Sequence, residues 1–247
     1  MKTIDLSGRT ALVTGASRGI GAAIAAAFGQ AGARVLVHYN RSEAAARAVL
    51  AGLPQGELLQ ADLEDEAARR RLMQEAGPVD ILVNNAAIYE ANPWDGADDA
   101  GFLARWRRTL VTNLEAAAHL VYLALPGMRE RRFGRIVMIS SRAAFRGETE
   151  CADYAVSKAG MVNLARCLAR SEGAYGITAN AICPGWIETD MAAQGLATNG
   201  DAIRAEIPLG RVGTPDDVAG AALFFASDLG AYANGTALGL NGGSFLH

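Results

Sequence analysis

Residues 10–21 of this 247-residue chain read TALVTGASRGIG, and this stretch decides the fold. An apolar run ends at Thr14, glycines follow, and an alanine-rich segment continues to Ala31. The order of strand, glycine turn and helix start is typical of a backbone that approaches a phosphate closely. Gly15 would allow the tight turn, Gly19 the approach to a pyrophosphate, and Gly21 the close packing of helix on strand. The stretch predicts the first unit of a dinucleotide-binding α/β fold.

Apolar strands and helical segments alternate along the rest of the chain. Strands are predicted at residues 10–14, 34–38, 57–61, 80–84, 135–140, 177–183 and 236–240. Helices are predicted between them, at residues 42–50, 63–75, 98–131, 154–175 and 215–226. This alternation predicts an α/β fold: a single-domain Rossmann-type doubly wound parallel sheet of about seven strands, with helices on both faces. Residues 1–247 would form one dinucleotide-binding catalytic domain, with ligands at the carboxyl ends of the strands.

Composition excludes several classes of protein. With 51% apolar residues the chain can bury one sizeable core. A net charge of −3 with interspersed signs argues against nucleic acid and anionic membranes as partners. There is neither an apolar run long enough to span a bilayer nor a signal-peptide core at the N-terminus. Three cysteines without a Cys-x-x-Cys pair indicate reduced thiols, so we expect a cytoplasmic protein. No cluster has metal-ligand spacing, so no metal is expected.

Tyr154 and Lys158 lie four residues apart in a predicted helix, which places both side chains on one face, one turn apart. A free tyrosine has a pKa near ~10, which is too high for ready proton exchange at neutral pH. An ammonium group one turn away favours the phenolate, so we expect Lys158 to lower the pKa of Tyr154. Ser141, 13 residues before the tyrosine, follows a strand and could polarise the same substrate oxygen. Together these groups predict proton transfer to or from an oxygen.

Five motifs in a fixed order resemble those of the short-chain dehydrogenases/reductases of the single-domain type, and the likeness covers essentially the whole chain. They are the glycine turn at residues 14–21, the segment Asn84-Asn85-Ala86-Ala87, Ser141, the Tyr-x-x-x-Lys pair, and the Pro-Gly segment at residues 184–189. Ala87 replaces the last glycine of the family's Asn-Asn-Ala-Gly segment, a departure that concerns the local turn. Similarity to 3-oxoacyl-[acyl-carrier-protein] reductases is included in this resemblance.

The resemblance implies a catalytic tetrad of Asn113, Ser141, Tyr154 and Lys158. Tyr154 would act as general acid or base, Ser141 would orient the substrate oxygen, and Lys158 would also hold the ribose hydroxyls. Asn113 would keep a water molecule that links Lys158 to solvent as a proton relay. As an alternative, Asn113 is an ordinary mid-helix residue that bonds its own backbone and kinks the helix.

The resemblance also implies a set of cofactor-binding residues at the strand ends. Thr189 and the backbone at Ile187 would hold the nicotinamide carboxamide, and Asp62 would contact the adenine. Asp62 could equally cap a helix that starts at Leu63. The full set is Gly15, Ser17, Arg18, Gly19, Ile20, Gly21, Arg41, Ser42, Asp62, Leu63, Asn85, Ala86, Tyr154, Lys158, Pro184, Gly185, Ile187 and Thr189.

The end of the second strand favours NADP(H) over NAD(H). An acidic residue there normally binds the ribose 2′-hydroxyl of NAD, but this chain has Tyr39 at the expected position. Arg41 and Ser42 offer a planar fork and a hydroxyl to a 2′-phosphate, and Arg18 offers a second cation. The alternative is that both arginines are solvated surface charges.

The expected function is hydride transfer between NADP(H) and a carbonyl or secondary alcohol of a small molecule, most directly reduction of a ketone or 3-oxoacyl-type substrate. One alternative is an NAD-dependent alcohol, polyol or sugar dehydrogenase on the same scaffold. Another, of a different class, is a non-catalytic NADP-binding sensor or a structural subunit. The least regular stretch, residues 186–207, would form a mobile lid over the substrate.

Several arginines and two long helices indicate which molecules the chain could bind. Arg142 and Arg146, near the catalytic serine, would either meet an anionic substrate or bond backbone carbonyls on an exposed loop. The basic run at residues 129–135, RERRFGR, could dock acyl carrier protein, although Tyr175 occupies the second basic position that such docking uses. By resemblance, the helices at residues 98–131 and 154–175, and the last strand with the helix at Pro215, would pack against copies of themselves in a homotetramer.

Overall fold

The computed structural model describes residues 4–95 and 98–246, and its centre is a parallel sheet of seven strands. The strands are β1 Thr10–Val13, β2 Arg34–Tyr39, β3 Gly56–Gln60, β4 Ile81–Asn84, β5 Gly134–Ile139, β6 Ile177–Pro184 and β7 Ala237–Leu240. Their order across the sheet is β3-β2-β1-β4-β5-β6-β7. All six neighbouring pairs are parallel, which confirms the predicted Rossmann-type architecture.

Helices cover both faces of the sheet. They are α1 Gly19–Gln30, α2 Glu43–Ala51, α3 Glu66–Ala76, α4 Asp99–Leu110, α5 Ala116–Arg131, α6 Ala143–Arg146, α7 Ala152–Glu172, α8 Asp190–Ala205 and α9 Pro215–Ala226. Short 3₁₀ turns follow at Gly173–Tyr175 and Asp228–Gly230. Within the described residues, no helix combines the length and apolar character that crossing a bilayer requires.

Alternation of side chains along the strands divides the core into two layers. On one face Leu12, Leu36 and Leu82 are buried with residues of α3, α5 and α7. On the other face Val13 and Val83 are buried with residues of α1, α2 and α9. Because both faces of each central strand are apolar, the strands appear in the sequence as continuous hydrophobic runs.

The strand order reverses between β1 and β4, and Thr14 joins the two strands at that point. Its buried hydroxyl donates to the Val83 carbonyl at 3.1 Å and accepts from the backbone N–H groups of Asn85 and Ala86 at 2.9 and 3.0 Å. Ligands of such sheets bind in the crevice at this reversal. One buried hydroxyl therefore fixes the two loops that form the floor of the crevice.

Two predicted helix boundaries are wrong. The predicted helix at residues 98–131 is interrupted by a π-helical turn, Val111–Glu115, which separates α4 from α5. The helix predicted to start at Leu63 starts at Glu66, where Asp65 caps it by accepting a hydrogen bond from the Ala67 N–H. The interpretation of Asp62 as a helix cap is therefore also wrong.

The expectation of irregular structure at residues 186–207 is likewise wrong, because most of this segment is helix α8. Glycines and polar residues hide its helical period in the sequence, and a kink at Asn199 (φ −130°, ψ 22°) divides it. Ile203, Ile207 and Val212 form a small buried cluster against which Trp186 packs. This cluster holds the helix in place beside the carboxyl end of β6.

Candidate active site

The glycine turn between β1 and α1 is built for a close approach to a ligand. Gly15 has φ +62°, and a Cβ atom there would lie 2.9 Å from the Ala86 Cα. A Cβ atom at Gly21 would collide with the Gly15 carbonyl oxygen. Neither a side-chain cap nor an acidic residue is present in the first turn of α1. The turn can therefore present backbone N–H groups and the positive end of the helix dipole to a phosphate.

His38 braces this turn from below, a role that the sequence analysis did not assign to it. Its Nδ1 accepts the Gly15 N–H at 3.0 Å, and its Nε2 donates to the Ala61 carbonyl at 3.2 Å. The side chain is buried, and this burial lowers the pKa of His38 to about 4. Since the acceptor role of Nδ1 requires a neutral ring, the brace depends on His38 being uncharged.

The loop after β4 holds the turn from the other side. The Asn85 amide donates to the Thr14 carbonyl at 2.8 Å and to the Gly15 carbonyl at 3.1 Å. The predicted site residues Asn85 and Ala86 thus lie against the glycine turn, as expected, but the Asn85 amide is used to fix the loop. Ala87 has no positive φ, so the replacement of the usual glycine causes no backbone strain there.

The predicted 2′-phosphate groups lie at the carboxyl end of β2. Arg41 is exposed, and Ser42 precedes α2 without capping it. Both line a surface hollow of about 650 Å³ together with Arg47, whose guanidinium pairs with Glu43 at 2.6 Å. Among the described residues no carboxylate pairs with Arg41. Arg18, from the glycine turn, is exposed and pairs with Asp190 at 3.6 Å.

The remaining predicted cofactor residues lie at the same edge of the sheet. Half-buried Ser17 and Ile20 belong to the glycine turn, and Asp62 with buried Leu63 follows β3. Pro184 ends β6, Gly185 packs against Asn241, and Ile187 is buried. Thr189 lies over the turn, since a Cβ atom at Gly19 would be 3.2 Å from its methyl carbon.

Ser141 and Tyr154 meet at the carboxyl end of β5. Their hydroxyl groups are hydrogen-bonded to each other. Ser141 is fixed by the Ala143 N–H, which donates to its hydroxyl at 3.1 Å, and Tyr154 lies in the first turn of α7. The pair presents two hydroxyl donors to one point, which is the arrangement that a developing alkoxide requires.

Lys158 is buried one turn below the tyrosine. Its Nζ lies 5.5 Å from the Tyr154 ring centroid and donates to the Ile139 carbonyl at 2.8 Å. Burial lowers the pKa of Lys158 to about 8. The Ser140 hydroxyl donates to the Lys158 carbonyl at 2.8 Å, so β5 and α7 hold the lysine at both ends.

The prediction that Lys158 lowers the pKa of Tyr154 is wrong for this structure. Burial raises the pKa of Tyr154 to about 12, and the hydrogen bond with Ser141 offsets only part of this effect. The Lys158 ammonium is directed to a backbone carbonyl rather than to the phenol, so desolvation is the larger influence. Tyr154 is therefore protonated at neutral pH.

Asn113 lies in the π-helical turn and joins two parts of the site. Its Oδ1 accepts the Ile88 N–H at 2.8 Å, and its Nδ2 donates to the Ile88 carbonyl at 3.0 Å and to the Ser157 hydroxyl at 3.2 Å. The side chain does not bond its own helix, so that alternative is wrong. A π turn often marks a functional position, and here it directs Asn113 at the residue before Lys158.

Tyr89 and Cys151 lie beside the hydroxyl pair, and Arg142 follows its serine in the chain. The Tyr89 ring lies edge-on to the Tyr154 ring at 4.9 Å, and its hydroxyl is hydrogen-bonded to the buried Cys151. Arg142, which follows Ser141 directly, is buried rather than on an exposed loop. Their contacts cross between loops and follow no sequence period.

The basic run at residues 129–135 is only partly free to meet a partner. Arg129 makes two bonds to Glu172, at 2.7 and 2.8 Å, and Arg131 donates to Asp80 at 3.1 Å. Arg135 is buried, whereas Arg129, Arg131 and Arg132 are exposed. The charges of Arg129 and Arg131 are therefore already paired, although their side chains reach the surface. Across residues 4–95 and 98–246, no three His, Cys, Asp or Glu side chains converge as metal ligands.

Comparisons with known proteins agree with this geometry. The family model described as enoyl-(acyl carrier protein) reductase matches residues 15–244. The chain is 38% identical to the acetoacetyl-CoA reductase of Rhizobium meliloti (strain 1021), over 96% of this chain and 99% of that protein. It is 37% identical to the 3-oxoacyl-[acyl-carrier-protein] reductase of Escherichia coli (strain K12), over 98% of this chain and 100% of that protein.

A solved structure from Beutenbergia cavernae, provisionally named an NAD(P)-dependent gluconate 5-dehydrogenase, contains NADP at low occupancy. It superposes with a TM-score of 0.91 at 38% identity, covering 98% of this chain and 99% of that chain.

The His38 brace predicts a pH dependence of stability. The pKa of His38 is ~6.5 in the unfolded chain and about 4 in the folded protein. Between these two pH values the unfolded chain binds more protons than the folded protein, so stability falls as the pH drops from 6.5 to about 4. We expect a loss of roughly 3 kcal/mol from this residue between pH 6.5 and 4, visible in urea unfolding. His38→Gln should remove this part of the slope, and His119→Gln should keep most of it. An unchanged slope in His38→Gln would contradict the brace.

Proposed function

Since the chain belongs to the short-chain dehydrogenase/reductase family, we propose that it is an NADP(H)-dependent oxidoreductase that reduces the carbonyl group of a ketone or 3-oxoacyl-type substrate. The observation that carries this proposal is the hydrogen-bonded pair of hydroxyls, Ser141 and Tyr154, beside a glycine turn built for phosphate. The bound dinucleotide supplies the hydride, so the residues of the chain provide position and a proton.

In the proposed reaction Tyr154 donates its phenolic proton to the oxygen of the substrate carbonyl. The Ser141 hydroxyl donates a hydrogen bond to the same oxygen and stabilises the charge that develops on it. The phenol of Tyr154 is in its protonated form at neutral pH, which is the form that donates in the reductive direction. Its raised pKa also makes it a weaker acid, so the transfer requires the charge that develops on the substrate oxygen during reduction.

Lys158 and Asn113 would restore the proton. We assign to Lys158 the ribose hydroxyls of the dinucleotide and the transfer of a proton toward Tyr154. Its pKa of about 8 lies close to neutrality, which suits a group that both gives and takes a proton. Asn113 would hold the water of the relay, and its amide donates to the hydroxyl of Ser157, the residue that precedes Lys158 in α7.

The residues that would hold the dinucleotide are those at the carboxyl ends of β1, β2, β3, β4 and β6. The glycine turn would bind the pyrophosphate, Asp62 the adenine, and Ile187 and Thr189 the carboxamide. Arg41 supports NADP(H), since no carboxylate pairs with it among the described residues and Tyr39 replaces the acid that NAD requires. The related Beutenbergia cavernae structure, with its bound NADP, is consistent with this choice.

We also propose that residues 1–247 act as one catalytic domain in which the segment 186–207 covers the substrate. Ile187 belongs to one of the sheet cores, whereas the end of α8 is held by the small separate cluster of Ile203, Ile207 and Val212. We therefore expect α8 to open at a lower free-energy cost than the helices packed on the sheet. Slower amide exchange across α8 on addition of NADPH would support this, and equal exchange would argue against it.

Two further proposals concern the cellular compartment and the source of the substrate. The cysteines Cys151, Cys167 and Cys183 are free thiols, which supports a reducing compartment such as the cytoplasm. Acyl carrier protein as the source of the substrate has weak support, because Tyr175 occupies the second basic position that such docking uses. In addition, Arg129 and Arg131 already pair with Glu172 and Asp80. For these reasons we place a small-molecule substrate before a carrier-bound one.

We expect Tyr154→Phe to lower kcat with NADPH by on the order of 10²–10⁴-fold, because the substrate oxygen loses its proton donor. The measurement is NADPH oxidation over a panel of diketones, aromatic ketones and 3-oxoacyl thioesters. Tyr89→Phe is the matched control, since it removes a neighbouring phenol that bonds Cys151 and should cost far less. Wild-type turnover that survives in Tyr154→Phe would remove the tyrosine from the mechanism, and cofactor binding without any turnover would favour a sensor.

We expect Arg41→Gln to lower kcat/KM for NADPH by about tenfold and to leave NADH kinetics nearly unchanged, since only NADPH carries the 2′-phosphate. Arg34→Gln is a suitable control, because Arg34 lies at the opposite end of β2 and pairs with Glu57. A parallel loss with both cofactors, or a wild type that prefers NADH, would contradict the assignment of Arg41.

We propose a homotetramer with two-fold symmetry. Tyr122 on α5 and Val156 on α7 are exposed, as is Phe224 on α9, and β7 leaves one edge of the sheet unpaired among the described residues. Light scattering at micromolar concentration should give four times the chain mass of 25.8 kDa. A monomer would contradict this proposal without affecting the site.

A further inference from the structure

Arg142 differs from the other buried arginines of the described chain. Arg69 has the Glu115 carboxylate at 2.9 Å, and Arg135 has that of Asp228 at 3.9 Å. Arg142 is equally buried, with 5% of its surface exposed, but no described carboxylate lies within ion-pair distance of it. Its recorded side-chain hydrogen bond is donated by Nη1 to the Ser244 hydroxyl at 2.8 Å.

A buried guanidinium that has a hydroxyl partner but no carboxylate partner is unfavourable for the fold. Burial removes water from the cation, and a neutral hydroxyl replaces only part of the lost hydration. Burial also lowers the pKa of Arg142, with Arg146 adding repulsion and Glu148 and Glu206 acting attractively from a greater distance. Because an arginine remains charged at neutral pH, the site keeps a positive charge without a direct counter-ion from the described chain.

The Arg142 guanidinium lies at the same edge of the sheet as Ser141, which would bind the substrate oxygen. Arg142 follows Ser141 in the chain, and its backbone N–H donates to the Pro184 carbonyl at 2.9 Å. Its guanidinium carbon lies 6.0 Å from the ring centroid of Trp186, which follows β6 and packs against the cluster of Ile203, Ile207 and Val212. The guanidinium thus lies at the same strand ends as Ser141, between the segment after β6 and the C-terminal tail.

We propose that Arg142 binds a free carboxylate of the substrate, and that the substrate is therefore an oxo acid whose ketone is reduced. This rests on the proposed function. A guanidinium accepts a carboxylate through two parallel hydrogen bonds and so fixes its orientation as well as its charge. A neutral ketone or a thioester presents no such group and would leave the buried cation unpaired.

Arg146, four residues further on, lacks the features from which we infer carboxylate binding by Arg142. Its side chain is exposed, and it pairs with Glu148 at 3.6 Å. A solvated arginine with a carboxylate neighbour gains little from a second anion. Arg146 therefore provides a control of the same residue type on the same loop.

The test compares oxo acids with their methyl esters as substrates for NADPH-dependent reduction. Short chains with the ketone two, three or four bonds from the carboxylate cover the distances that the site could span. Wild type, Arg142→Met, Arg142→Lys and Arg146→Met are assayed, with thermal unfolding as a check on folding. We expect wild type to prefer an acid over its ester, and Arg142→Met to lower that ratio of kcat/KM by on the order of tenfold to a hundredfold. Arg142→Lys should retain part of the preference, and Arg146→Met all of it.

The outcomes separate this inference from the proposed function. If esters are reduced as well as acids in wild type, or if Arg142→Met lowers both equally, the carboxylate assignment is wrong and the reductase proposal stands. If wild type reduces neither, calorimetry of acids added to the enzyme with NADP⁺ decides the matter. Tighter binding by wild type than by Arg142→Lys would support the inference, and equal binding would overturn it.

Discussion

The hydroxyl of Thr14 joins the first strand to the loop after the fourth, and the rest of the site is arranged around this junction. It satisfies one backbone carbonyl and two backbone N–H groups at the reversal of strand order. Asn85 and His38 then fix the glycine turn from its two sides. A parallel sheet brings strand ends together, and these side-chain bonds, with the backbone bonds from Thr14 to Val83 and from Ala16 to His38, bring the loops into contact.

Above this floor, burial has a larger effect than charge pairing on the pKa values of the two catalytic side chains. The Tyr154 phenol and the Lys158 ammonium are both shielded from water, which moves their pKa values in opposite directions, to about 12 and about 8. The two side chains are neighbours, with the Lys158 Nζ 5.5 Å from the Tyr154 ring centroid, but the ammonium bonds the Ile139 carbonyl and not the phenol. Tyr154 therefore stays a protonated donor at neutral pH, and Lys158 is the nearby group that we propose returns its proton.

Sequence predicted the sheet because each strand is a continuous apolar run, and it predicted the glycine turn because only glycine fits there. It did not predict α8, whose glycines and polar residues mask the helical period, or the π turn at Asn113, which no residue pattern marks. The candidate site residues were predicted from their places next to strand ends, and the structure brings them to one edge of the sheet. Arg142 and Arg146 look alike in the sequence, and only tertiary packing buries one and leaves the other exposed. The brace by His38 was missed for the same reason.

The loops that would hold the dinucleotide and the side chains around the hydroxyl pair differ in how easily they can be substituted. Thr14, Asn85 and His38 hold backbone groups, so replacing any of them would disturb the loops that every substrate needs. Tyr89, Arg142 and Trp186 act through their side chains, so a substitution there would alter the surroundings of the hydroxyl pair without removing a bond of these loops. Relatives of similar identity bear different substrate names, which is the pattern expected if substrate choice rests on such positions.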